Sequence, residues 1–218
     1  MRQMKAKKSS LYFMLINLVS KGLAAFAQLY AIFILTKMHT RDEAAILFLL
    51  LGYAVWFQVF EFGLAQTLQN KFNTKLISSS DMLKMLFIHF LLMCVIAVII
   101  VINPVLVDLL LPNSKSAIGG DAILAFSLGA AILLLASNNA ITQRFLLVFN
   151  RGQLANTLII AQSLLAIAGL AIYDFVGKPN LTLAVLLVLG PQVCVYLPIL
   201  LSLMTVSYTH LRAHETRE

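Results

Sequence analysis

The chain has 218 residues, of which 61% are hydrophobic and only 11% charged, at a mean hydropathy of +0.92; this balance excludes an ordinary soluble domain. The formal net charge of +7 does not point to nucleic acid. The cations sit at the ends of apolar runs with no interleaved aromatics, so membrane topology accounts for them.

In chain order, a basic arm over residues 1–10, carrying Arg2, Lys5, Lys7 and Lys8, precedes a first apolar run at 11–36. That run is too long for a signal-peptide core and no small-residue cleavage site follows it, so it reads as a retained span. Asn17, Lys21 and Gln28 fall at i, i+4 and i+11, on one helical face. Lys21 lies about 15 Å along a helix from Leu11, too deep for easy snorkelling, which points to a cation lining a cavity.

The second run, 44–62, leads into FEFGLAQTLQNKF, residues 60–72, and Gln58 just before it repeats with Glu61, Ala65 and Gln69 on one face. Counted from Arg41, Glu61 lies about 30 Å along, at the inner mouth of a bundle. With Gln58 it is a candidate for a gate or for ion coupling, and Gly63 is a candidate hinge. The segment that follows continues the helix out of the membrane or bends along its surface.

The third run, 82–103, contains His89 with no polar neighbour at helical spacing, a packing histidine rather than a proton relay. After it comes VLVDLLL, too short to span and expected at the interface. The fourth run, 122–148, places Ser127, Asn138 and Thr142 on one face with Arg144 near its inner end. Asn138 and Arg144 join Lys21, Asn17 and Gln28 as candidate cavity residues. The fifth run, 153–176, and the sixth, 181–204, carry Gln162 and Gln192 at depth. Pro191 and Pro198, beside Gly190, are expected to kink the sixth and serve as hinges.

A hydrocarbon core of about 30 Å takes about 20 helical residues, so the reading is an all-α integral membrane protein with six transmembrane helices. Arg2 to Lys8, then Lys71, Lys75, Lys84, Arg144 and Arg151, gather on one side. Lys37, Arg41, Lys115 and Lys178 on the other are diluted by acids, which puts the N-terminus in the cytoplasm. Ionisable groups at depth cost a few kcal/mol on insertion scales and tend to face a cavity. Amides and hydroxyls read as readily as glue between helices. The sequence has no Walker A loop, no metal-spaced His or Cys cluster, no catalytic triad and no dinucleotide motif, so neither an enzyme nor a cofactor is expected. Cys94 and Cys194 read as small core hydrophobes.

The basic arm, Lys21-Gly22 in the first span, ILTKMHTRDEA after it, and Glu61-x-Gly63-Leu64 together resemble the N-terminal half of a polysaccharide exporter of the MOP superfamily, the Wzx-type repeat-unit flippases. The resemblance covers roughly residues 5–205, through short motifs. It departs from the usual pattern at Glu61, where aspartate is commoner, and at Met38-His39, where Leu-Gly is frequent. It implies two pseudo-symmetric helical lobes around a cavity, of which residues 11–205 are one, and alternating access. It further implies a lipid-linked oligosaccharide diphosphate as cargo in a bacterial inner membrane, a missing C-terminal lobe, membrane lipids and polymerase machinery as partners, and no nucleic acid. Two other readings stay open on the residues: a cation-coupled drug exporter of the same superfamily, and a non-transporting scaffold or transferase fragment. Under the flippase reading, Lys21→Ala should abolish export while leaving insertion intact.

The last residues, 206–218, break the composition after Thr205. VSYTHLRAHET resembles one reading frame of a transposase adapter from sequencing-library preparation, which implies an artefactual tail on a natural chain that continues past residue 205. His210 and His214, at i, i+4, are on that account not read as a metal site.

Overall fold

The computed structural model describes residues 2–59, 63–103, 120–149 and 151–215, with backbone alone at 2–11, 13, 55–59, 79, 120 and 204–215. All regular structure among them is helical: α1 (Arg2–Met38), α2 (Arg41–Val59), α3 (Leu64–Asn73), α4 (Ser79–Ile102), α5 (Gly120–Val148), α6 (Gly152–Val176) and α7 (Leu181–Glu215). Among the described residues five stretches are long and apolar enough to cross a membrane: Met14–Met38, Ser80–Ile102, Asp121–Val148, Gly152–Val176 and Leu181–Leu203. The chain is thus a multi-pass helical membrane protein. Its exposed apolar residues, Phe26 and Phe33 on α1 and Ile88, Val95 and Val98 on α4 among them, form faces that water would not tolerate and lipid would.

Residues at helix ends fix the boundaries. The Thr40 N–H donates to Glu43 Oε2 and the Glu43 N–H to Thr40 Oγ1, a reciprocal cap that starts α2 ahead of the expected residue 44. Ser78 and Asp81 do the same for α4. At the end of α6, Gly177 takes φ 69° and its N–H returns to the Tyr173 carbonyl, a left-handed closure that suits glycine. Pro179 follows and no helix continues. The first ten residues, expected as an arm, continue α1 from Arg2, and α7 runs through residue 205 to Glu215.

The helices alternate in direction. At one end, Lys37 Nζ pairs bidentately with the Asp174 carboxylate at 2.7 and 3.0 Å, His39 meets Tyr173, and Thr182 Oγ1 donates to the Asp121 carbonyl. At the other, α3 tucks Ala65 and Leu68 against Met82, Leu86, Ile141, Phe145 and Leu200, and Phe72 meets Phe149. Between Glu43 and Leu64 the chain has therefore passed from one end to the other along α2.

Helix α5 is the axle: 61% of its membrane-length stretch is buried, against 22–28% for the other four. Small side chains allow this, with Ala122, Ala125, Ala130 and Ala131 all buried. At Gly129 a Cβ would lie 2.6 Å from Leu50 Cδ1 and 3.0 Å from Val185 Cγ1, so α2 and α7 close on α5 where a side chain is lacking. In lipid, where apolar burial alone gives no drive, such close packing holds helices together.

Candidate functional site

A cavity of about 360 Å³ opens between α1, α2, α5, α6 and α7, within the usual range of small-molecule sites, about 300–1,000 Å³. Ala24 to Ala31 of α1, Leu133 to Ser137 of α5, Gln162 to Ala166 of α6 and Val188 to Gln192 of α7 line it. Each stretch straddles the middle of its membrane-length helix, so the cavity lies at mid-depth. Alanines make the room, and polarity comes from Gln28, Ser137, Gln162, Ser163 and Gln192. Among the described residues that line it, none is charged.

The hydrogen bonding around it has a direction. Ser137 Oγ donates to the Leu134 carbonyl at 2.6 Å and Ser163 Oγ to the Ile159 carbonyl at 2.8 Å. Both hydroxyl protons are thus held by their own helices, and the oxygens remain acceptors. Gln162 Oε1 is buried and accepts no hydrogen bond from the protein. Asn139 Nδ2 donates to the Gln192 carbonyl at 3.1 Å, and one turn further Gln143 Nε2 donates to Tyr196 OH at 2.7 Å. These two bonds zip α5 to α7 from the cavity wall towards the α3 end. Pro191, buried in that wall, has no N–H to give the Leu187 carbonyl, so the α7 ladder is interrupted beside the cavity.

Of the residues expected at the site, the structure brings Gln28 and Pro191 to the cavity. Lys21 is exposed and outside the lining, as is Asn17, half-buried, whose carbonyl accepts from Ser20 Oγ. Asn138 is buried between α4 and α5: its Oδ1 lies 2.9 Å from His89 Nδ1 and its Nδ2 donates to the Leu135 carbonyl. It thereby satisfies the histidine read as a packing residue. Arg144 is exposed, with Nη1 3.4 Å from Gln69 Oε1, and ties α5 to α3. Pro198 is exposed on α7.

Glu61 lies outside the described residues, as do the side chain of Gln58 and the VLVDLLL segment. Gly63 takes φ 65° immediately before α3, so the face drawn from Gln58 to Gln69 does not run on through one helix. The side chains of His210 and His214 also lie outside the described set. Among the described residues no three His, Cys, Asp or Glu side chains gather to hold a metal ion.

The sequence reading placed Gln162 and Gln192 at depth without joining them to the site, and it missed Ser137 and Ser163. Counting each polar residue from its own helix midpoint would have put all four in one layer. It also missed a cluster at the α1–α2 turn. There the buried His39 ring lies between Glu43 Oε2, 3.1 Å from Nδ1, and Tyr173 OH, 2.7 Å from Nε2. The Asn180 N–H donates to the same hydroxyl at 2.8 Å. The Thr40 N–H donates to the same Glu43 oxygen, so one carboxylate oxygen serves both the α2 cap and the histidine contact.

Comparison with protein-family models, with curated proteins and with solved structures finds no match to this chain.

Proposed function

We propose that the chain is one lobe of a transporter that moves lipid-linked saccharide units across a bacterial inner membrane, with six spans and the N-terminus in the cytoplasm. One observation carries the reading: a polar cavity at mid-depth, built by five helices, where a static bundle would be filled by apolar side chains. Helix α2, of 19 residues and about 28 Å in length, is the sixth span. Lys71, Arg144 and Arg151 fall at the end opposite Lys37 and Asp174, which supports the orientation expected of a positive-inside protein. A cation-coupled drug exporter draws less support, because no carboxylate is among the described residues that line the cavity.

Because a single lobe is expected to bind without transporting, the test is binding. The chain in nanodiscs is offered polyprenyl-diphosphate oligosaccharide and sugar-free polyprenyl phosphate, and complexes are counted by native mass spectrometry. Retention of the glycosylated lipid over the sugar-free one is expected. Binding of either no better than bulk phospholipid would refute the reading.

A further inference from the structure

We infer that the turn between α3 and α4, residues 71–78, is a docking point for anionic phospholipid: Leu76 enters the bilayer interface, and Lys71 and Lys75 take the phosphates of the headgroups around it. The inference needs only a chain that spans a membrane and does not rest on the transport reading.

The turn is fixed from both sides. The Leu76 N–H donates to the Lys71 carbonyl and the Lys75 N–H to the Phe72 carbonyl, each at 2.9 Å, the paired closure that commonly ends a helix. Just beyond it, the Ser78–Asp81 capping box starts α4, and Ile77 in between packs against the core under α3. The residues that fill this closure act against its own stability. Lys75 holds φ 59°, a left-handed position where glycine is unstrained and lysine is not. The next position commonly carries an apolar side chain folded back on the last turn of the helix. Here it is Leu76, which is 75% exposed, and the last turn offers it Asn70 and Lys71 rather than an apolar partner.

A lipid surface answers both departures. Leu76 stands four residues before the membrane-length stretch Ser80–Ile102, at the level where that helix meets the interface. Lys71, Lys75 and Lys84 are exposed there, and Arg144 and Arg151 are exposed at the same end of the bundle. Asp81, an acid among these cations, accepts from the N–H and hydroxyl of Ser78. An exposed leucine ringed by cations at that level matches the two parts of a lipid, acyl chain and phosphate. Every phospholipid has a phosphate, so it is the lipid's net negative charge that the additional cations select.

The chain in detergent micelles is titrated with phosphatidylglycerol and with phosphatidylcholine of the same acyl chains, and bound lipids are counted by native mass spectrometry. Lys75→Gly should lower the preference for phosphatidylglycerol about fivefold, the equivalent of about 1 kcal/mol for one cation at an anionic surface. Its melting temperature should be at or above that of the natural chain, because glycine relaxes the turn. Lys71→Gln should lower the preference similarly, and Lys178→Gln, exposed at the opposite end, should leave it unchanged. Insertion is read separately in nanodiscs of phosphatidylglycerol. A fluorophore attached at Leu76→Cys, with Cys94 and Cys194 replaced by alanine, should be quenched by lipids that carry a nitroxide near the headgroup.

An unchanged preference in Lys75→Gly or Lys71→Gln overturns the inference. An equal loss in Lys178→Gln also does, because net charge alone would then be at work. So does a lowered melting temperature in Lys75→Gly, since the lysine would then be holding the turn. An unquenched fluorophore overturns it too, and displacement of phosphatidylglycerol by polyglutamate without quenching would give the surface to an acidic protein segment instead.

Discussion

Tyr173→Phe should destabilise the bundle by about 1–3 kcal/mol, the cost of stranding one buried polar group. The hydroxyl has three neighbours, and only one is at risk. His39 is buried, and because Nδ1 faces the Glu43 carboxylate, which can only accept, Nε2 depends on Tyr173 OH at 2.7 Å. The Asn180 N–H and carbonyl also meet the hydroxyl, but Asn180 is exposed and water replaces that partner at little cost. Ring packing is kept, since the phenyl still stacks on the imidazole at 6.0 Å between centroids. His39→Phe alone should cost less, because Tyr173 OH then donates to the Asn180 carbonyl instead. With both substitutions the stranded nitrogen is gone, so the double variant should lose under about 1 kcal/mol, well short of the two single losses added. Equilibrium unfolding of the four proteins in mixed micelles with increasing SDS, followed by circular dichroism, measures the cycle. Additivity within about 0.3–0.5 kcal/mol would show that the two side chains do not depend on each other and would refute the reasoning.

At Gly129, Ala should cost about 1–3 kcal/mol through overpacking against the fully buried Leu50; Leu50→Ala in the same chain should return part of it, read by the same unfolding assay. Asp174→Asn removes a largely exposed pair with Lys37 and should cost no more than about 1 kcal/mol, a loss that 1 M salt should reduce.

Helix existence was legible because spans are long and apolar, and because breaks such as Gly177-Lys178-Pro179 carry their own chemistry. The start of α2 was legible too, since Thr40-x-x-Glu43 before an apolar run is a capping pattern, but the apolar boundary at residue 44 was followed instead. The separate helix α3 follows from Gly63 and from a strongly two-sided sequence, with Ala65 and Leu68 inward and Gln66 and Asn70 outward. Which helices pack together was not legible. Spans that are apolar all round give no face to read, and the central place of α5 depends on small residues at Gly129, Ala125 and Ala130 meeting large ones from other helices.

The site was harder to read for a related physical reason. Lys21 drew attention because a charge at depth is costly, yet cost marks where a residue is unusual rather than where helices separate. Separation follows how the bundle is fastened. Side-chain contacts fasten one end through Lys37–Asp174 and His39–Tyr173 and the other through Arg144–Gln69 and Phe72–Phe149, while His89–Asn138 and Gln143–Tyr196 tie α5 to α4 and α7 in between. The middle layer on the α1–α6–α7 side holds alanines, serines and glutamines, which pack closely where backbones touch and leave space where they diverge. With its ends fastened and its α7 ladder broken at Pro191, the bundle keeps an open polar middle whose described lining is small and uncharged.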